Sequence, residues 1–461
     1  MRTAMAEKLI ISISGMRGII GENLTPAVAA EYGCAFGSYL KMAGSAEGKK
    51  LSVCIGTDSR PSGQMLCSSV AAGLCSVGID VISLGIVPTP SVGVMLKKLG
   101  CNGGIIITAS HNPIAYNGIK LLTGDAVAPP PESSGKITEI FHKKEFDFAA
   151  SVDCGKVTFC GDTDETHIAK VLGLVDRDLI GSKGFKVVLD SVNGAGGPIT
   201  MKLFELLGCD VKGVNTEPTG IFAHTPEPTR ENLSGFGKEV LEFGGNIGFA
   251  QDPDADRLVI IDENGEYIGE EYTLALAGLY AFSKKQGAKA AVNLSTSRMI
   301  DDVAKRYGAT VIRTCVGEAN VAKAILENDC VIGGEGNGGI IDLRVGPIRD
   351  SLVGIALILQ LLAESGKTVS QLVSEIGGYC MIKEKFAADK DLADRIMNRA
   401  VEIFEGAAVD NRDGYRFDFD DGWVHLRTSN TEPVMRVMAE AREEEAARKY
   451  IDTVMDIKDS L

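Results

Sequence analysis

The sequence predicts an α/β protein: three α/β domains of similar design with mixed sheets, followed by a smaller α+β domain at the C-terminus. Three observations carry this expectation. The chain has 461 residues, too many for a single hydrophobic core. A pattern of β-rich run, polar loop, amphipathic helix, glycine and second β-rich run occurs three times, and the texture of the chain changes near residue 371. With 45% hydrophobic and 24% charged residues, the composition excludes a disordered, collagenous or coiled-coil protein.

The first pattern spans 51–87: LSVCIG, a loop with Asp58 and Arg60, the helical MLCSSVAAGLCSVG, then IDVISLG. The second spans 185–214, with FKVVLDSVNGAGG, a helix over 199–207 and GCDVKGV; the third spans 289–316, with KAAVNLSTSR, a helix through Ala304 and YGATVIRTCV. Each is a parallel β-α-β unit. Their spacing is irregular, which excludes a solenoid; the competing arrangement is one large sheet. Polar stretches at 129–134 and 151–155 and the turn DPDADR mark boundaries. The expected domains are 1–152, 153–258, 259–370 and 371–461. In the last, an apolar helix leads to the charged segment KEKFAADKDLADRIMNRAVEIF, two short strands around RFDFDDGWVHLRTS, and a final charged helix, AEAREEEAARKYIDTVMDIKDSL. Its charge runs are read as solvated helix faces.

Lys and Arg total 47 against 62 Asp and Glu, a net charge of −15. That balance opposes nucleic acid or an anionic membrane as partner, so an anionic ligand needs a local cluster of cations. Eleven scattered cysteines without C-x-x-C read as reduced thiols, and five histidines without H-x-x-x-H leave zinc short of ligands. The apolar stretch near the N-terminus is broken early by Gly15 and Arg17, and no run reaches membrane-span length. A cytoplasmic location is expected. The 54 glycines imply many tight turns and close backbone approaches.

Four strand-end loops carry the candidate chemistry. In GGIIITASHNPIAYNGIK a buried strand breaks into Thr108-Ala109-Ser110-His111-Asn112-Pro113. Ser110 beside His111, with Lys120 near in sequence, offers a nucleophile, an acid/base and a cation; the plain alternative is a capped Asn-Pro turn. No G-x-S-x-G elbow supports acyl transfer. In QDPDADRLVIIDENG, Asp252, Asp254 and Asp256 alternate so that a curled loop converges their oxygens on one cation. With Glu263 they match positions of an EF-hand loop, but Arg257 stands where that loop needs glycine and the flanks are strand-like. A strand-to-strand loop for Mg²⁺ follows, with Arg257 suited to an anionic ligand; an acidic turn without metal is the alternative. CVIGGEGNGGII lacks a P-loop lysine and any G-x-G-x-x-G fingerprint. Its Glu335 and Asn337 suit sugar hydroxyls. HLRTSNTEPVMRV gathers Arg427, Ser429, Asn430, Thr431 and Arg436, a phosphate cradle in an acidic chain, or else a capped strand end.

Taken together, TASHNP, DPDADR, GEGNGG and RTSNTEP resemble, in order and over almost the whole chain, the phosphoserine, metal, sugar and phosphate loops of the α-D-phosphohexomutase family. The resemblance implies four domains around a central cleft and a phosphoserine at Ser110. It implies Mg²⁺ held by Asp252, Asp254, Asp256 and the serine phosphate. His111 and Lys120 match positions near the transferring phosphate, and Arg17 in SGMRG matches a first-loop arginine. The implied activity interconverts hexose 6-phosphate and hexose 1-phosphate through a sugar 1,6-bisphosphate, which also primes the enzyme. A hinge before the last domain would allow the bisphosphate to turn round, and a monomer or homodimer is expected. Many members carry a GE-x-S-G-H loop, whereas Asn337 and Gly339 stand here at the Ser and His positions. The smaller loop suggests room for an amino group at C2, hence glucosamine phosphate, with phosphomannomutase or phosphoglucomutase as the alternative. A Mg-dependent sugar-phosphate phosphohydrolase and a non-catalytic sugar-phosphate sensor share the same loops.

Overall fold

The computed structural model describes residues 9–12, 15–44, 50–428 and 434–461. The chain divides into two compact units, Met1–Thr273 with Gly338–Ser370, and Leu274–Asn337 with Gln371–Leu461.

The first unit holds two sheets. The larger has seven strands in the order Ile10–Ser12, Gly15–Ile19, Tyr116–Thr123, Gly103–Ile107, Ser52–Thr57, Asp80–Ile86 and Val157–Phe159. It is mixed: Gly103–Ile107 runs parallel to Ser52–Thr57 and antiparallel to Tyr116–Thr123. Gly103–Ile107 is buried throughout, as a strand covered on both faces must be. On one side pack helices Pro26–Ala43 and Gly63–Ser76, closing a core around Phe36, Ile55, Leu66, Leu74 and Ile107. Helix Thr89–Leu99 contributes Val92, Met95 and Leu96 to the opposite core. The second sheet is ordered Leu258–Ile261, Ile247–Gln251, Lys186–Asp190 and Asp210–Val214, antiparallel at its first pair and parallel beyond.

In the second unit Lys289–Asn293 runs parallel to both Thr310–Thr314 and Ile332–Glu335. A five-stranded antiparallel sheet follows, ordered Cys380–Ala387, Val434–Ala441, Gly422–Thr428, Tyr415–Asp418 and Ala408–Asp410. Helices Lys390–Ile403 and Glu444–Ser460 share one core with it, through Ile396, Ala400, Val424, Val437, Ile451 and Val454.

All three β-α-β patterns fold as read, each with its two strands parallel. The C-terminal sheet is larger than expected. The charged segment opens as a strand, because one face of Cys380–Ala387 is solvated: exposed Lys383 and Lys385 alternate with half-buried Ile382, Glu384 and Phe386. AEA closes the strand Val434–Ala441 instead of opening a helix. Among the described residues no single helix is long and apolar enough to cross a membrane.

Where helices Pro26–Ala43 and Gly63–Ser76 cross, backbones touch. A Cβ on Gly73 would sit 2.1 Å from the carbonyl oxygen of Ala30, and one on Gly33 2.5 Å from that of Val70. Gly73→Val should therefore separate the helices and lower the midpoint of thermal unfolding, at a cost of about 1–3 kcal/mol.

Candidate active site

Ser110 lies three residues beyond strand Gly103–Ile107, and the aspartates lie in the turn between antiparallel strands Ile247–Gln251 and Leu258–Ile261. Both loops leave the carboxyl ends of parallel strands, where α/β sheets place their sites. Ser110 has a left-handed backbone, φ 48°, a conformation that costs about 1–3 kcal/mol in a residue with a side chain. Its neighbours hold it there. The Ser110 amide donates to Thr108 Oγ1 at 2.8 Å, and that hydroxyl donates to Asp58 Oδ2 at 2.6 Å. The fully buried Arg60 guanidinium pairs with Asp58 at 3.1 Å. It also donates to the carbonyls of Ser110 and Asn112, both at 2.6 Å, Pro113 at 2.9 Å and Tyr116 at 3.1 Å. One planar cation thus ties down the whole turn.

The Ser110 hydroxyl reaches across to the second loop, donating to Asp252 Oδ2 at 2.7 Å. Asp252, Asp254 and Asp256 are buried, and one oxygen from each lies within 4.8 Å of the others. Asp252 Oδ1 accepts from the amides of Asp256 and Arg257 at 3.1 Å, which curls the loop. Lys120 Nζ at 3.0 Å and Thr89 Oγ1 at 2.6 Å both donate to Asp254 Oδ2. Arg349 donates to Asp256 Oδ2 at 2.6 Å. Burial, then the neighbouring Asp254 and Asp256 charges, push Asp252 well above the usual carboxylate range. Burial also works against the Asp254 charge, but Lys120 and hydrogen bonds from Asp252 and Thr89 outweigh it and hold Asp254 below that range. Asp254 Oδ1 and Asp256 Oδ1 are buried and have no hydrogen-bond partner. Free oxygens of hard carboxylates, converging beside a serine hydroxyl, fit a divalent cation of the magnesium class.

The surrounding rim is cationic. Arg17, on strand Gly15–Ile19, is held below the usual arginine range by burial and by the neighbouring Arg60 and Arg257, against the raising pull of Asp254. Arg257 pairs with Glu227 at 3.4 Å. His111 Nδ1 lies 3.3 Å from Ser110 Oγ and its Nε2 3.9 Å from Glu227. Burial first, then Arg257 and Arg17, bring the imidazole down to about 3, so it is neutral near pH 7.

Of the residues singled out in the sequence, Ser110, His111, Lys120, Arg17, Asp252, Asp254, Asp256 and Arg257 come together in the first unit. In the second unit Glu335 is fixed by Asn293 Nδ2 at 2.8 Å and the Gly317 amide at 3.1 Å, with Asn337 beside it at 3.5 Å. Arg427 and Arg436 face each other across paired strands, Arg427 gripped by Asp413 at 3.0 Å. Ser429, Asn430 and Thr431 lie outside the described residues. Sequence reasoning missed the supports: Arg60, Thr108, Thr89, Glu227 and Arg349. Only Arg60 carried a signal, an arginine in the polar loop directly after a buried strand. A Cβ on Gly339 would meet Arg349 Cδ at 2.2 Å, since Arg349 crosses Gly339 on the way to Asp256.

Models of the phosphoglucomutase/phosphomannomutase family match the chain in four consecutive pieces. These are α/β/α domain I over 9–148, domain II over 165–265, domain III over 269–379, and the C-terminal domain over 383–457. A phosphoglucomutase/phosphomannomutase of Thermococcus kodakarensis is 41% identical over 95% of the chain and 96% of its own length. A probable phosphoglucosamine mutase of Methanopyrus kandleri is 36% identical over 96% of both. A solved phosphoglucomutase/phosphomannomutase family protein of Burkholderia thailandensis superposes with a TM-score of 0.85, at 27% identity over 97% of each chain. The chain belongs to this family, the α-D-phosphohexomutases. It is an intramolecular phosphotransferase of the isomerase class, with three α/β domains and a smaller C-terminal one.

Arg60→Lys keeps the charge but cannot serve several carbonyls and Asp58 at once. Displacing Ser110 by about 1 Å should lower kcat on a hexose phosphate about 100-fold, with KM little changed. Steady-state kinetics check this.

Proposed function

We propose that the chain interconverts hexose 6-phosphate and hexose 1-phosphate by way of phospho-Ser110. The observation that carries this reading is the Ser110 hydroxyl, held 2.7 Å from Asp252 at the edge of three buried carboxylates with unsatisfied oxygens. A phosphoryl group on that oxygen would sit between the aspartates and the cationic rim. Asp252, Asp254 and Asp256, with the serine phosphate, would hold Mg²⁺, which supplies charge neutralisation to the phosphoryl oxygens when bound.

In the forward half-reaction the bond between phosphorus and Ser110 Oγ breaks, its electron pair staying on Oγ, as a bond to a substrate hydroxyl oxygen forms and that hydroxyl's proton passes to Oγ, giving a sugar 1,6-bisphosphate. Arg17, Lys120 and Arg257 offset the charge on the moving group. His111, uncharged near pH 7 and beside Ser110 Oγ, orients that oxygen without adding a competing positive charge. The bisphosphate turns round and returns its other phosphate to Ser110, and free bisphosphate re-primes any chain that has lost its phosphate. Glu335 and Asn337 read the sugar hydroxyls in both orientations. Arg427 and Arg436, with Ser429, Asn430 and Thr431, take the phosphate that is not reacting. The working domains are 1–152, 153–258, 259–370 and 371–461.

Within this activity we place glucosamine phosphate first. Glu335 is an anchored carboxylate, a charge partner that an ammonium at C2 can use and a neutral hydroxyl cannot. The alternative, a phosphomannomutase or phosphoglucomutase, has the 41% identical relative in its favour. Comparing kcat/KM for glucosamine, mannose and glucose phosphates on one preparation decides the order; equal values for all three would remove the preference.

Intact-mass measurement of the purified chain should show a single phosphoryl group, absent from Ser110→Ala, and that variant should have no measurable turnover. An active, unphosphorylated Ser110→Ala enzyme would sink the phosphoserine reading. Removing divalent cations with a chelator should abolish turnover, and adding Mg²⁺ should restore it. In Asp254→Asn, the same addition should fail.

A further inference from the structure

A second cluster of serine, histidine and aspartate lies outside the residues assigned above. His167, on helix Thr163–Leu172, is completely buried. Its Nδ1 lies 2.8 Å from Ser91 Oγ and its Nε2 2.7 Å from Asp350 Oδ2. Nε2 donates to the Asp350 carboxylate, and Nδ1 and the Ser91 hydroxyl share the second hydrogen bond. Ser91 is as buried as His167. No substrate atom can reach that hydroxyl, so the trio is not a second nucleophilic centre.

Its two ends are more informative than its chemistry. Ser91 lies two residues beyond Thr89, at the start of helix Thr89–Leu99. Thr89 holds Asp254 twice, through its hydroxyl on Oδ2 at 2.6 Å and its amide on the carbonyl at 2.9 Å. Asp350 caps helix Ser351–Ser365, with Oδ1 accepting from the amides of Leu352 at 2.9 Å and Val353 at 3.4 Å. On one side of it Arg349 donates to Asp256 at 2.6 Å. On the other, Ser351 donates to the Ala255 carbonyl from its hydroxyl at 2.7 Å and its amide at 3.2 Å. Ala255 is the left-handed residue of the metal loop, with φ 53°. His167 thus joins the two segments that grip the aspartate loop from opposite sides.

We propose that the buried Ser91–His167–Asp350 chain is a positioning strut for the metal loop, setting the spacing of Thr89 and Arg349 and hence of Asp254 and Asp256. An apolar residue at 167 could fill the volume. It would leave Asp350 Oδ2 and the Ser91 hydroxyl without their His167 partner in the interior, and the two grips free to drift apart. Supports at this remove act on metal affinity more than on the fold.

The strut rests on the metal reading above, and the test separates them. Mn²⁺ binding to the full chain is followed by electron paramagnetic resonance, with Mg²⁺ as competitor. His167→Leu should weaken Mn²⁺ binding about ten-fold and Ser91→Ala about five-fold. Val171→Ala, a buried residue one turn along the same helix, should lower the thermal midpoint and leave the affinity unchanged. Should His167→Leu fail to fold, Ser91→Ala carries the decision. Affinities in the folded strut variants equal to that of the unaltered chain would overturn the strut alone. An unaltered chain that binds no Mn²⁺ would overturn the metal reading and the strut with it.

Discussion

Three carboxylates placed together and taken out of water set the terms for the rest of the first unit. At an effective dielectric constant of about 20, two like charges about 4 Å apart repel by about 4 kcal/mol. A single charge-assisted hydrogen bond returns about 1.5–3 kcal/mol. No one partner suffices, and Asp252, Asp254 and Asp256 are served by Lys120, Thr89, Arg349, the Ser110 hydroxyl and two backbone amides.

The same constraint explains the geometry of the serine loop. Ser110 must approach the aspartates from a different sheet, and its left-handed backbone turns the hydroxyl toward them. Such a conformation persists only where its surroundings over-determine it. Arg60, spreading its donors over four carbonyls, does this with a residue that never touches the aspartates. Charge enters this region in two roles: Arg60 shapes the backbone, while Arg17, Lys120 and Arg257 surround His111 with positive charge.

Legibility followed distance along the chain. The three β-α-β units declare themselves within about thirty residues each, because a buried parallel strand and an amphipathic helix have local periodicities. The loops with Ser110 and the alternating aspartates were readable for the same reason, each being one short segment with unusual side chains. Thr89, Arg349 and His167 were not, because a threonine, an arginine or a histidine in an ordinary helical or turn context looks like any other. Their importance lies in partners about a hundred residues away or more. The C-terminal strand Cys380–Ala387 was hidden differently: a sheet solvated on one face puts lysine and glutamate where strand signals are sought.

The first unit is not continuous in sequence: the chain leaves it after Thr273 and returns at Gly338. Arg349, Asp350 and Ser351 arrive with that return, so Asp256 waits 93 positions for its arginine and Gln251 a hundred for the Ser351 hydroxyl. On the ribosome, where chains emerge from the N-terminus, the aspartate turn is synthesised long before its second grip exists. Until then Asp256 lacks its Arg349 guanidinium and the Ala255 carbonyl lacks both of its Ser351 donors. Of the segments that grip the aspartate turn, the stretch from Arg349 to Ser351 stands latest in the sequence, so the turn is completed by its most distant partners.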